Sequence, residues 1–333
     1  MNSTDQHRTT LVTGGAGFIG SHLVERLLKR GDHVEVVDNL STGSLANLSG
    51  LDDTRLTFRE GSVSEILPTL DPQSYQEIYH LAAAVGVRLV IERPIHTIET
   101  NVHETSVVLE FASQHSTPML LASTSEVYGK STKTPFMEDD DVVYGPTIFN
   151  RWSYAMSKAI DEHLALAYYA EHDLPVVVVR FFNTVGPRQV GEYGMVLPRF
   201  VSAALKNETK PVYGDGRQTR CFCDVRDVVK TLPDMPSNVQ CHGRVFNLGR
   251  DSSISILELA TLVRDTLHSE SAIELISYEK AFGEGFDDLR DRRPDLTRIQ
   301  EATGFDPRIE LVQTIRDLAE HLKAHAATLE TSG

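Results

Sequence analysis

Cysteine is scarce in this chain: three in 333 residues, Cys221, Cys223 and Cys241. A small odd number in a long chain excludes a disulfide framework and points to reduced thiols in the cytoplasm. Cys221 and Cys223 have no further ligand at zinc spacing, so no metal site is expected. Long apolar runs are missing too. The longest obvious one, Val176-Val177-Val178-Val179, is strand-length, against the ~18–20 residues that a membrane-spanning helix needs. Residues 1–10 are polar, so neither a leader peptide nor a membrane anchor is expected. Basic residues are also in short supply. Lys and Arg total 32 against 47 Asp and Glu, a net charge of −15, which argues against a non-specific binder of nucleic acid or anionic membrane. It leaves room for a small anionic ligand, for which one or two placed arginines and a helix end suffice.

What is present reads as a folded α/β protein. The 41% hydrophobic and 24% charged residues exclude collagen-like and disordered classes. The length suits one large or two modest domains of roughly 100–200 residues. Strand-like runs at 10–13, 33–37, 56–59, 77–81, 119–123 and 176–182 alternate with helical spacing, as in Ile19, Leu23, Val24, Leu27 and Leu28 ahead of Gly31, and later over 101–115. Repeated β-α-β predicts a doubly wound parallel sheet, a Rossmann arrangement, with helices on both faces. After Pro187 short strands and helices separated by Gly and Pro predict a smaller α/β lobe. The expected division is 1–187 and 188–330, with an interleaved boundary. Residues 287–295 are densely charged in both signs, as in a solvated loop.

After the first strand, Gly14-Gly15-Ala16-Gly17-Phe18-Ile19-Gly20 opens the first helix. Glycines at 14, 17 and 20 let backbone approach a pyrophosphate at the helix N-terminus. Asp38 ends the second strand about 20 residues on, where a carboxylate takes ribose hydroxyls. Asp38 would repel a 2′-phosphate and no arginine follows in Asn39-Leu40-Ser41, so the cofactor expected is NAD rather than NADP.

Ser153-Tyr154-Ala155-Met156-Ser157-Lys158 starts a helix reaching about His172. Residues four apart share a helix face, so a Lys158 ammonium near the Tyr154 phenol would favour phenolate and make a base for a sugar hydroxyl. Ser123-Thr124-Ser125-Glu126-Val127-Tyr128-Gly129, after the fifth strand, puts hydroxyls at the carboxyl edge of the sheet.

With these residues in place the chain resembles the extended short-chain dehydrogenases/reductases of the nucleotide-sugar epimerase, dehydratase and decarboxylase group, over residues 11–322. The resemblance rests on the glycine triplet, Asp38, His80-Leu81-Ala82-Ala83, Asn101, Thr124, Tyr154 with Lys158, and Arg180-Phe181-Phe182-Asn183-Thr184-Val185-Gly186-Pro187-Arg188. The second lobe adds Val212-Tyr213-Gly214-Asp215-Gly216, Gln218-Thr219-Arg220 and Asp227. It implies a cofactor site of Gly14, Gly17, Phe18, Ile19, Gly20, Asp38, Asn39, Leu81, Ala82, Asn101 and Lys158. It makes Thr124 the hydroxyl that polarises the sugar C4 oxygen and Lys158 a holder of the nicotinamide ribose. Asn183, Arg220 and Arg292 would hold a diphosphate, and Tyr213 would lie by the base of a UDP-sugar. A homodimer through a four-helix interface, using the 101–115 helix and the Tyr154 helix, is also implied. One departure is Gly61-Ser62-Val63, where such proteins place an aspartate that reads adenine.

The shared first step in this group is oxidation at sugar C4, and the rest of the pocket decides the fate of the 4-keto sugar. A 4,6-dehydratase carries Asp-Glu where this chain has Ser125-Glu126, and serine is a poor acid for dehydration. A UDP-glucuronate decarboxylase needs a reader for the C6 carboxylate. Ser125, Glu126, Arg151 in Arg151-Trp152-Ser153-Tyr154, and Arg292 in Arg292-Arg293-Pro294-Asp295 resemble that class, which yields UDP-xylose; a guanidinium makes a two-point contact with a carboxylate. Val85-Gly86-Val87-Arg88 lacks the proline-rich string of common decarboxylases, although Arg88 stands among the substrate candidates. The UDP-sugar 4-epimerases are the alternative. A silent sensor of NAD or nucleotide sugar is disfavoured by intact Thr124, Tyr154 and Lys158.

Overall fold

β-branched residues crowd the strands. Val176–Phe181 reads VVVVRF, with every position but the last buried, and Glu77–His80 is buried throughout. Strands buried on both faces belong in a parallel sheet covered by helices on each side. The computed structural model describes residues 8–51, 54–86, 90, 92–191, 195–282 and 290–331. In it β1 (Thr9–Thr13), β2 (His33–Asp38), β3 (Leu56–Glu60), β4 (Glu77–His80), β5 (Met119–Thr124) and β6 (Val176–Phe181) form one sheet. Short strands come next: β7 (Thr184–Val185), β8 (Lys210–Tyr213), β9 (Thr219–Cys221) and β10 (Cys223–Asp224). Then come β11 (Arg244–Leu248), β12 (Ser253–Ser255), β13 (Ile273–Ile276) and β14 (Asp291–Arg292). The main sheet runs β11-β6-β5-β4-β1-β2-β3, with all its pairings parallel. Strand order reverses at β1, which lies between β2 and β4, and a ligand crevice opens at such a switch point.

The helices are α1 (Phe18–Arg30), α2 (Val63–Ile66), α3 (Pro94–Ser113), α4 (Ser153–His172) and α5 (Val196–Leu205). They continue with α6 (Val225–Thr231), α7 (Ile256–Thr266), α8 (Tyr278–Phe282), α9 (Thr297–Thr303) and α10 (Leu311–Thr331). Adjacent strand residues feed opposite faces. Val12 packs with Leu23 and Leu27 of α1 and Val228 of α6. Leu11 packs with Val108 and Leu109 of α3 and Ala165 of α4. A third core, including Leu197, Val201, Val212, Leu259, Val263 and Ile315, fills the smaller lobe.

Two elements differ from the sequence reading. Helix α3 starts at Pro94, which its fixed φ suits to a first turn, rather than near Asn101. Its early buried positions are polar, Thr97, Asn101 and Thr105, while Ile95 and Ile98 are exposed, so apolar periodicity misses the first turns. The chain also returns from the smaller lobe: β11 pairs with β6, Arg244 opposite Val177 through Leu248 opposite Phe181. A late strand thus extends the edge of the early sheet.

The cysteines are free and buried. No described helix is long and apolar enough to cross a membrane, and the described residues hold no cluster of three metal-ligating side chains.

Candidate active site

The turn between β1 and α1 admits no side chains at its key glycines. A Cβ on Gly14, at φ 71°, would lie 2.6 Å from the Ala82 nitrogen, and one on Gly20 would lie 2.1 Å from the Gly14 carbonyl oxygen. Gly17 caps α1 with no side-chain bond, so the first N–H groups of the helix, at Phe18 and Ile19, have no capping side chain from that position. Asp38, at the end of β2, accepts the N–H of Ala16 at 3.0 Å and of Leu40 at 2.8 Å. It ties the turn to the second strand while each carboxylate oxygen keeps capacity for a hydroxyl donor. Burial raises its pKa and these backbone bonds oppose the rise. Asn39 accepts the Ser41 N–H. Leu81 donates to the Thr13 carbonyl and Ala82 to the Thr13 hydroxyl. Asn101 accepts from the Ala84 N–H at 2.8 Å and donates to the Ser157 hydroxyl at 3.1 Å, joining the segment after β4 to α4. Glycine cradle, helix start and acidic strand end meet at the switch point, which fits a dinucleotide. Where an adenine-reading aspartate was absent from the sequence, Ser62 instead caps α2 in a reciprocal pair with Glu65.

Thr124 ends β5, and its hydroxyl accepts the Glu126 N–H at 3.2 Å. Tyr154 lies in the first turn of α4 and is buried. Burial raises its phenol well above the usual value, the Glu126 and Asp161 charges add to that, and Arg292 and the Thr124 hydroxyl pull the other way. The ammonium of Lys158 is fully buried, but its bond goes to Asp161 Oδ2 at 2.7 Å. The ammonium expected near the Tyr154 phenol thus has a carboxylate partner of its own. A carboxylate three residues on shares the lysine's helix face, and an ammonium taken out of water binds the nearest counter-charge. Behind Asp161 stand Thr105 and Lys158. His80 spans Thr13 at 2.7 Å and Thr105 at 3.3 Å with its two ring nitrogens, and burial pushes its pKa down to about 3.

The smaller lobe brings arginines to the same edge. Arg292 and Arg220 are register partners across β14 and β9, and both are buried. Arg292 Nη2 lies 3.3 Å from Glu126 Oε1, and Arg220 donates to the Thr219 carbonyl at 2.7 Å. Two guanidiniums side by side out of water favour an anion between the lobes. Ser125 is buried. Asn183 Oδ1 is buried with no hydrogen-bond partner among the described residues. Tyr213 accepts from Arg199 Nη2 at 2.8 Å, and that guanidinium lies 5.4 Å from the ring centre. Arg88 and the side chain of Arg151 fall outside the described residues. Sequence reasoning missed Asp161, Thr105 and Arg199; only Asp161 carried a signal, as a carboxylate three residues past the lysine.

A second buried network braces the site. Arg180 forks onto Glu162 of α4, with Nη2 to Oε2 at 2.7 Å, and lies over the Tyr128 ring at 4.7 Å. Asn247 of β11 accepts the Tyr128 hydroxyl at 2.6 Å and donates to the carbonyls of Phe136 and Asp295. The turn carrying Glu126 and the loop following Arg292 are thus held by one side chain.

Comparison with known proteins agrees with this geometry. The family model described as GDP-mannose 4,6 dehydratase matches residues 11–318. A UDP-N-acetyl-alpha-D-glucosaminuronate decarboxylase of Bacillus cytotoxicus is 42% identical over 92% of this chain and 95% of its own length. UDP-glucuronic acid decarboxylase 4 of Arabidopsis thaliana is 38% identical over 91% of this chain, which spans 66% of that plant protein, just under two thirds. Among solved structures, the dTDP-glucose 4,6-dehydratase DesIV of Streptomyces venezuelae, with NAD and TYD bound, superposes with a TM-score of 0.85 at 27% identity, covering 96% of this chain and 98% of its own. The UDP-glucose 4-epimerase of Thermotoga maritima gives 0.82 at 27%, covering 96% and 99%. The sheet with its switch-point cradle and the Tyr154 helix, taken with these likenesses, place the chain in the extended short-chain dehydrogenase/reductase family of nucleotide-sugar epimerases, dehydratases and decarboxylases.

Proposed function

We propose that the chain is an NAD-dependent decarboxylase of a UDP-uronate, acting on UDP-glucuronate to give UDP-xylose and carbon dioxide. The observation that carries this reading is the gathering of Thr124, Tyr154, Glu126 and Arg292 at one edge of the sheet, with a buried guanidinium beside the base. The names of the relatives at 42% and 38% identity support it. NAD, when bound, accepts a hydride from the sugar and later returns it. The glycine cradle and the Asp38 carboxylate are the residues that would hold it.

Tyr154 takes the proton of the C4 hydroxyl, and Thr124 donates to the C4 oxygen. The resulting 4-keto uronate is a β-keto acid: its C5–C6 bond breaks, carbon dioxide leaves, and the electron pair enters the C4 carbonyl as an enolate. Arg292 reads the C6 carboxylate by a forked contact in competition with Glu126, and Arg151 is the second arginine candidate. C5 then takes a proton from solvent, and Tyr154 returns its proton to the C4 oxygen. Arg220 and Asn183 would hold the diphosphate, Tyr213 the uracil, and Ser125 the sugar.

The alternative is 4-epimerisation, which shares the first oxidation and is favoured by the likeness to solved 4-epimerases. Purified protein is incubated with UDP-glucuronate, its 2-acetamido analogue and UDP-glucose in parallel. Carbon dioxide with a UDP-pentose or its acetamido counterpart supports decarboxylation. UDP-galactose from UDP-glucose, with the uronates untouched, would return the site to an epimerase.

The protein acts as a cytoplasmic homodimer in this reading. The free buried thiols fit a reducing compartment, and exposed Ile95 and Ile98 on α3 and Ile160 on α4, two helices packed together, fit a shared helical interface. Sedimentation giving the mass of one chain would overturn the dimer.

A further inference from the structure

We propose that Asn247 is a positioning residue that sets Arg292 against Glu126 beside Tyr154, by bonding the two segments that carry them. The inference deepens the reading of Arg292 as a guanidinium that faces the substrate, and it rests on that reading.

Asn247 lies near the end of β11, opposite Arg180 of β6, and is fully buried. Its backbone N–H donates to Glu138 Oε1 at 2.9 Å, which fixes the point from which the side chain springs. Two carbonyls need donors and one hydroxyl can donate, so the partners settle which way the amide faces. Oδ1 accepts the Tyr128 hydroxyl at 2.6 Å, and Nδ2 donates to the carbonyls of Phe136 at 2.9 Å and Asp295 at 3.3 Å.

Toward Glu126 the path is short, because Tyr128 closes the same turn, Ser125–Tyr128. Toward Arg292 it runs through backbone: Phe136 donates its N–H to the Arg293 carbonyl, and Asp295 donates to the Phe136 carbonyl, both at 2.8 Å. The Phe136 ring stacks on the Tyr128 ring with centres 4.5 Å apart, so the two paths are packed on each other. β14 is held from its other side by the register of Arg292 with Arg220 of β9. The Glu126–Arg292 pair at 3.3 Å therefore closes a ring of contacts whose far corner is Asn247. Loss of that amide leaves a hydroxyl and two carbonyls buried without partners, and the segments must shift to regain them. A misplacement of about 1 Å at a group beside the reacting centre costs up to about 10²-fold in rate.

Two variants separate the two paths. Asn247→Asp keeps the shape and the acceptor for Tyr128 but turns an oxygen toward the two carbonyls, and Tyr128→Phe removes only the bond to the turn. Each should lower kcat/KM for UDP-glucuronate by about tenfold or more, with the calorimetric affinity for UDP within about twofold of wild type. In an Arg292→Gln background the same substitutions should cost far less, because the group they misplace is gone. Losses that multiply in full with Arg292→Gln, or UDP affinity that falls in step with turnover, would overturn the proposal. Should Asn247→Asp fail to fold, Tyr128→Phe decides alone, since it loses one oxygen and keeps the stacked ring. The function reading is judged separately, by the products of the wild type. If UDP-glucose is epimerised and UDP-glucuronate is left untouched, that reading falls, and the same cycle is run on UDP-glucose, where Arg292 still acts beside Tyr154.

Discussion

Glu126 and Arg292 form an ion pair of 3.3 Å between the turn after β5 and the short strand β14. It bridges the nucleotide sheet and the smaller lobe beside the base, where Glu126 raises the Tyr154 phenol and Arg292 lowers it.

Opposite signs give opposite shifts. Glu126→Gln removes the charge that holds the proton on Tyr154, so the acidic limb of kcat/KM against pH should move down by about one unit. Arg292→Gln should move it up by a similar amount. Stopped-flow rates across the pH range check both; limbs that move together or stay fixed would contradict the placement of the pair.

Tyr154→Phe keeps the buried ring and removes the proton acceptor. Turnover should fall by roughly 10²–10⁴-fold, with the thermal midpoint near that of wild type. A variant that keeps most of its turnover would show that another group is the base.

Gly20→Ala forces a methyl group to within 2.1 Å of the Gly14 carbonyl oxygen. Overpacking of this kind costs about 1–3 kcal/mol, and the turn must open to relieve it. Urea unfolding should show the loss, and calorimetric titration should show weakened NAD binding; unchanged affinity would contradict the cradle.

His80 makes the protein acid-sensitive in a defined window. Its folded pKa of about 3 lies below the 6.5 of an exposed histidine, so the unfolded chain binds the extra proton first. The contribution is whole above pH 6.5 and is lost progressively as pH falls from there toward about 3. His80→Gln should flatten stability against pH over that range, measured by urea midpoints at fixed ionic strength; an unchanged slope would rule out this role.

The outline of the sheet was legible because each strand is short, β-branched and set off by helical spacing: 33–37 and 119–123 were each extended by one residue, to Asp38 and Thr124. The glycine turn was legible because close backbone contact admits no substitute there. The charge partners were not. The spacing of Tyr154 and Lys158 fixes a shared helix face, but it does not say which carboxylate a buried ammonium will also meet, here Asp161. Arg180 of β6 with Glu162 of α4, and Arg292 of β14 with Glu126 in the turn after β5, join elements that meet only in the folded protein. The early turns of α3 hid because their inward residues are threonine and asparagine.

The return of the chain to place β11 beside β6 bears on how such proteins can be recombined. A hybrid made by one crossover near residue 187 would join a β6 from one parent to a β11 from the other, mismatching the contact from Arg244 opposite Val177 to Leu248 opposite Phe181. It would also part Asn247 from the Tyr128 whose hydroxyl it accepts. Exchange of sugar selectivity between relatives therefore calls for a cassette with two joints, leaving the late edge strand with its native parent.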